Sequence, residues 1–118
     1  MMEQKNDIQQ KELQIGVTKK MLDVIMLMFL RKRSRHGYEL MSKIQKTFGV
    51  HFRASTIYPT LAELQRNGLV VSQWDTEKIR PRKVYSLTDK GQEALTDAID
   101  SFSIFYQKIL DNQLTIEE

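Results

Sequence analysis

The chain has 118 residues, 41% hydrophobic and 28% charged, with a net charge of +3 and no cysteine. That length suits one domain, or one domain with an arm; the lack of cysteine excludes disulfides, thiol chemistry and thiolate metal sites and fits a cytosolic protein. The longest apolar run, MLDVIMLMFL at 21–30, contains Asp23 and is too short to span a bilayer, and the first twenty residues lack an apolar signal core.

Residues 1–16 are polar and glutamine-rich, and Ile8, Leu13 and Ile15 make a poor helical stripe, so this segment reads as an arm or a marginal helix. Met21, Leu22, Ile25, Met28 and Phe29 give a broad apolar face that predicts a helix over 18–32. Ser34 to Gly37 reads as a turn. A second helix follows over 37–48 with Leu40, Met41, Ile44 and Phe48 as its inner stripe, and Gly49 suits a left-handed C-cap. After a six-residue connection, Ile57, Leu61 and Leu64 predict a third helix over 55–67. Ser55 or Thr56 can cap it, and with Thr56 as the cap Pro59 falls in the first turn, where its missing N–H costs nothing. Asn67-Gly68 ends it.

The period then changes to two. Residues 69–75 and 83–88 are β-branched and aromatic and predict a hairpin whose tip, TEKIRPR, is basic. Thr88 can cap a last helix over 89–112. The fold expected is mainly α with a small antiparallel β-hairpin, a winged helix-turn-helix followed by a long C-terminal dimerisation helix. Its divisions are an arm or marginal helix at 1–16, a DNA-binding domain at 17–88, and the dimerisation helix with a short tail at 89–118.

The charge is unevenly spread. Between Lys19 and Lys46 eight basic residues face two acidic ones, whereas from Asp89 onward seven acidic residues face two basic ones. One positive face toward a polyanion is thus available, although charged residues are also ordinary solvated surface. A third helix of this length, roughly 18 Å, fits a major groove about 12 Å wide and would present its N-terminal residues to base edges and phosphates. Arg53, Ser55, Thr56, Tyr58, Pro59 and Thr60 form that front. Phosphates suit Arg53 and the helix N-terminus, while Thr56, Tyr58 and Thr60 are placed to read bases. In the hairpin tip, Lys78, Arg80, Arg82 and Lys83 can lie along phosphates or enter a narrow minor groove. A core helix with a polar start and a solvated loop are the bland alternatives. The run RKRSRH at 31–36 could add phosphate contacts or simply be a charged helix end.

Taken together, HGYEL (36–40), STIYPTL (55–61), the LxxNGLV pattern of 64–70, Trp74 and RPRKVYSLTDKG (80–91) closely resemble PadR-family transcriptional regulators. The resemblance covers roughly residues 21–110. It implies a homodimeric, operator-binding repressor of the compact type, with the recognition helix at 55–67 and the wing at 75–83. The wing of this family is often glycine-rich, and TEKIRPR has no glycine. Some compact members bind flat aromatic drugs with a tryptophan of the C-terminal helix. Here the one tryptophan is Trp74 in a strand, so that property does not carry over.

The last helix asks independently for a partner. Leu95, Ile99, Phe102, Phe105, Tyr106, Ile109 and Leu110 form a wide stripe near the chain end, with little domain left to cover it. A second copy would bury it by twofold symmetry; folding back on its own domain is the alternative. Enzyme chemistry is not expected. His36 and His51 have no accompanying carboxylate motif, and there is no phosphate loop, metal spacing or nucleophile elbow. The methionines at 21, 26, 28 and 41 read as core filling before an effector pocket, and an effector stays unassigned. The expectation is therefore a cytoplasmic, nucleoid-associated repressor that binds double-stranded DNA as a homodimer at an inverted repeat, without catalytic group, cofactor, metal or membrane. A protein-interaction module and a sequence-blind nucleoid protein are the alternatives.

Overall fold

The computed structural model describes residues 2–77 and 79–114, with side chains described from residue 7 to residue 113. In chain order the elements are α1 (Met2–Lys20), α2 (Leu22–Lys32), β1 (Arg35–His36), α3 (Gly37–Phe48), α4 (Ala54–Arg66), β2 (Val70–Asp75), β3 (Arg82–Leu87) and α5 (Asp89–Leu114). The core is one cluster built from the stripes of α2, α3 and α4, closed by Val70, Tyr85 and Leu95. Met26, Leu40, Ile44, Ile57, Leu61 and Leu95 lose all contact with solvent.

Two elements depart from the boundaries expected from the sequence. Of the two readings for the N-terminal segment the helix holds over residues 2–16, but it runs on to Lys20, and the chain leaves helical geometry only at Met21 (φ −98°, ψ 10°) before α2 begins. The ladder hardly notices the break: Met21 N–H donates to Val17 O at 3.0 Å, and Ile25 N–H donates to Met21 O at 2.9 Å. Gln14 ties α1 down by donating to Phe48 O at 3.1 Å, while the Thr18 hydroxyl bonds back within the helix to the Gln14 carbonyl. Second, the expected turn at 34–37 contains a two-residue strand. Arg35 pairs with Tyr85 and His36 with Val84, making a three-stranded sheet of order β1-β3-β2. A strand of two residues is too short to leave a period in the sequence.

The glycines that punctuate the motifs have separable jobs. Gly49 (φ 72°) closes α3, its N–H bonding Gln45 O at 2.8 Å, as its left-handed position requires. Gly68 (φ 77°) follows the α4 C-cap Asn67, its N–H donating to Gln65 O at 3.0 Å. Thr88 caps α5: its hydroxyl oxygen accepts the Gly91 N–H at 3.0 Å, while its hydroxyl proton goes to Gly68 O at 2.7 Å. Gly91 is confined for another reason, because a β-carbon there would run into the Leu69 carbonyl oxygen.

Candidate nucleic-acid interface

The helix α4 begins two or three residues earlier than capping by Ser55 or Thr56 would allow. Arg53 is its N-cap, in extended backbone (φ −76°, ψ 161°) and without a side-chain cap bond; its carbonyl receives the N–H groups of Thr56 at 2.9 Å and Ile57 at 3.1 Å. Pro59 is consequently inside the helix rather than in its first turn. It removes the N–H that would have bonded Ser55 O, leaving that carbonyl without its intrahelical donor on the outer side of the helix.

With Ile57, Leu61 and Leu64 buried, the helical period turns Ser55, Pro59, Ala62 and Arg66 outward, and all four are exposed. Thr56 and Thr60 lie half-buried on one flank. Thr60 spends its hydroxyl proton on Thr56 O at 2.8 Å, so toward a ligand it can only accept. They line a cleft with Lys19 and Lys20 from the end of α1 and Asp23 from α2. The two lysines were not singled out from the sequence, because only the fold brings α1 beside α4.

On the other flank the ring of Tyr58 lies against the start of α3. A β-carbon on Gly37 would sit 2.6–2.7 Å from the ring's far end, so the glycine of HGYEL exists to let the tyrosine in. Burial first, and then the nearby Tyr58 hydroxyl, push the Tyr85 phenol above its ordinary value of 10.0. Tyr58 therefore fixes α4 against α3 and β3 while keeping 39% of its surface in solvent.

The wing is the hairpin of β2 and β3, in register from Val70 opposite Leu87 to Asp75 opposite Arg82. Arg80, Arg82 and Lys83 are exposed, while Lys78 lies outside the described residues. The Lys83 ammonium sits 5.6 Å from the centre of the Trp74 ring, its cross-strand partner. Such a pair stiffens the hairpin just below its tip.

Of the run at 31–36, only Arg31 and Lys32 stand outside internal pairing. Arg35 is buried, donates from Nε to Phe29 O at 3.2 Å, and lies 5.8 Å from the Phe29 ring centre. Arg33 reaches Glu39 Oε2 at 2.6 Å. Glu39 also accepts the His36 backbone N–H at 3.1 Å, and His36 Nδ1 is 2.7 Å from the same carboxylate. Burial alone would raise the Glu39 carboxyl, but the His36 N–H and the Arg33 guanidinium together hold it below its ordinary 4.5. This is a brace at the start of α3, with one carboxylate holding both Arg33 and His36.

At the opposite end, α5 departs from the body of the molecule. Leu95 is wholly buried in the chain's own core, which removes it from any surface a partner could touch. Beyond it Ile99, Phe102, Phe105, Tyr106 and Ile109 remain 42–63% exposed. Leu110 is half-buried. Facing α1, which exposes Leu13 and Val17, the side chains of Phe102, Phe105, Tyr106 and Ile109 line an almost entirely apolar groove of about 860 Å³ floored by Met21 and Val24.

Comparison with known proteins bears on this arrangement directly. The model of the Transcriptional regulator PadR-like family matches residues 26–97, from the first core helix to the early turns of α5. The chain belongs to the PadR-like family of transcriptional regulators. Its members are regulators rather than enzymes. Transcriptional regulator Rv3488 of Mycobacterium tuberculosis is 32% identical over 80 residues, which make up 68% of this chain; the chain spans 64% of that relative's length. Among solved structures, a PadR family transcriptional regulator from Eggerthella lenta superposes with a TM-score of 0.81 at 25% identity, covering 98% of this chain and 99% of that one. Bacillus subtilis PadR in complex with operator DNA superposes with a TM-score of 0.61 at 30% identity, over 66% of this chain and 46% of that one. The PadR motifs of this chain are in large part the packing devices described above: Gly37 against Tyr58, Gly68 at the end of α4, Thr88 and Gly91 at the start of α5. Among the described residues no helix is long and apolar enough to cross a membrane.

Proposed function

We propose that this PadR-family chain is a sequence-specific DNA-binding repressor that acts as a homodimer on an inverted repeat, at the nucleoid in the cytoplasm. The observation that carries the reading is the exposed front of α4, flanked by cations on both sides: Arg53 at its N-cap, Lys19 and Lys20 beside Thr56, and Arg80, Arg82 and Lys83 on the wing. Arg53 and the wing cations, Lys78 among them, hold phosphates. Ser55, Thr56, Tyr58 and Thr60 approach base edges, with Pro59 shaping the outer surface between them. The Bacillus subtilis relative is described with operator DNA, which supports the same use of this surface here.

Dimerisation follows from α5. A face in which Phe102, Phe105, Tyr106 and Ile109 are about half-exposed is a large apolar patch for a single chain, and an identical face covers it by twofold symmetry. Joined so, two α4 helices can address half-sites about 34 Å apart. Gel-shift titration against random and self-selected duplexes tests the reading. Affinity should fall on the order of a thousand-fold between about 50 and 200 mM salt, and the selected duplexes should carry an inverted repeat. Binding without salt dependence, or selection without twofold pattern, would count against it.

A further inference from the structure

The pairing of Asp75 with Arg82 is the last rung of the hairpin, so residues 76, 77 and 79–81 project beyond the sheet. In that tip Ile79 is fully exposed, at 103% of its reference surface, more than any other large apolar side chain described. Neither the core nor the charge pattern accounts for it. An isoleucine at this place adds nothing to the stability of the free chain, and its neighbours on the C-terminal side are Arg80, Pro81 and Arg82. A stiff, β-branched side chain beside two guanidinium groups matches a surface that is anionic at its rims and apolar within. The minor groove of duplex DNA is such a surface, phosphates bordering walls of deoxyribose C–H groups, and apolar wedges are a known way to fill it. An anionic membrane offers similar chemistry, but one isolated side chain is too small an apolar anchor for a bilayer.

Building on the DNA-binding reading above, we propose that Ile79 is a minor-groove wedge, packing between the sugar walls while Arg80 and Arg82 hold the bordering phosphates. Pro81 disfavours the helical region for Arg80 and so narrows the conformations open to the tip.

The test compares wild type, Ile79→Ala and Arg80→Ala by fluorescence anisotropy on a duplex that the protein itself selects from random DNA, at several salt concentrations. Ile79→Ala should lose about ten-fold in affinity with its salt slope unchanged, because buried apolar area and no phosphate contact is lost. Arg80→Ala should reduce the slope by about one. The unfolding midpoint of Ile79→Ala should equal that of wild type. Exchanging A·T for G·C pairs in the flank puts an amino group on the groove floor. This should weaken wild type more than Ile79→Ala. Wild-type affinity in Ile79→Ala overturns the inference and leaves DNA binding standing. So does a flattened slope in that variant, or an effect confined to vesicles of anionic lipid. If wild type binds no duplex at any salt, the inference and the proposed function fall together.

Discussion

Replacing Gly37 by alanine sets two effects against each other, and the structure decides the sign. Gly37 is the first residue of α3, where alanine would ordinarily gain up to about 1 kcal/mol from reduced backbone entropy in the unfolded chain. The new β-carbon, however, would meet Tyr58 Cε1, Cζ and Oη at 2.6, 2.6 and 2.7 Å. Ordinary carbon contacts begin near 3.5 Å, so the ring must retreat by about 1 Å. With the α4 backbone anchored by Ile57 and Leu61, the ring yields only by rotating about its own bonds, which gives up its packing against the start of α3 and beside Tyr85. Overpacking of this kind costs about 1–3 kcal/mol, which leaves a net loss of up to about 2 kcal/mol, each kcal/mol lowering the melting temperature by roughly 4–8 °C. Circular-dichroism melts of Gly37→Ala, Tyr58→Ala and the double variant close a cycle. In the Tyr58→Ala background the Gly37→Ala change should become stabilising. If Gly37→Ala shifts the melt equally in both backgrounds, the steric account of this motif is wrong.

The remaining predictions concern the brace, the linkage and the tail. Gly91→Ala should cost about 3 kcal/mol in urea unfolding, because its β-carbon meets the Leu69 backbone oxygen, which cannot rotate away. Glu39→Gln should lose about 1 kcal/mol near neutral pH. The folded carboxyl titrates below its unfolded 4.5, so its contribution is complete above that value and disappears as pH falls through the folded pKa; wild-type and variant melts should converge in acid. Phe105→Asp touches a side chain 63% exposed in the single chain, so it should fold normally yet sediment as a monomer at micromolar concentration. A dimer of unchanged mass would remove α5 from the interface.

Periodicity made most of the architecture legible. The stripes of α2, α3 and α4 and the alternation around Tyr85 each have a single buried side, and burial is what periodicity records. Two elements were hard to read for opposite reasons. The strand Arg35–His36 is too short to have a period, and α1 is so polar that arm and marginal helix could not be separated by a stripe. At the candidate site, the composition of the front of α4 was readable, but its geometry was not. The start of α4 could not be fixed because Arg53 caps it through the backbone alone, with no side-chain signature, and this displaced Pro59 into the helix interior. Arg35 was indistinguishable from its neighbours in RKRSRH because charge says nothing about burial. It took the proximity of Phe29 to turn one of those cations inward. Leu95 likewise shares the spacing of the exposed α5 stripe, and only the position of α2 beneath it separates core from surface.

The link between α4 and α5 has a mechanical consequence. Gly68 O takes the Thr88 hydroxyl, Leu69 O takes the Thr88 N–H at 3.1 Å, and Gly91 lies directly over that same carbonyl. The tail helix is thereby pinned to the exit of α4 with no slack between them. Two such chains clasped by their tails would behave as the legs of a caliper, the opening at the points set by the crossing angle at the pivot. With a lever this stiff, a few degrees of rotation at the pivot would change which half-site spacing the pair can span.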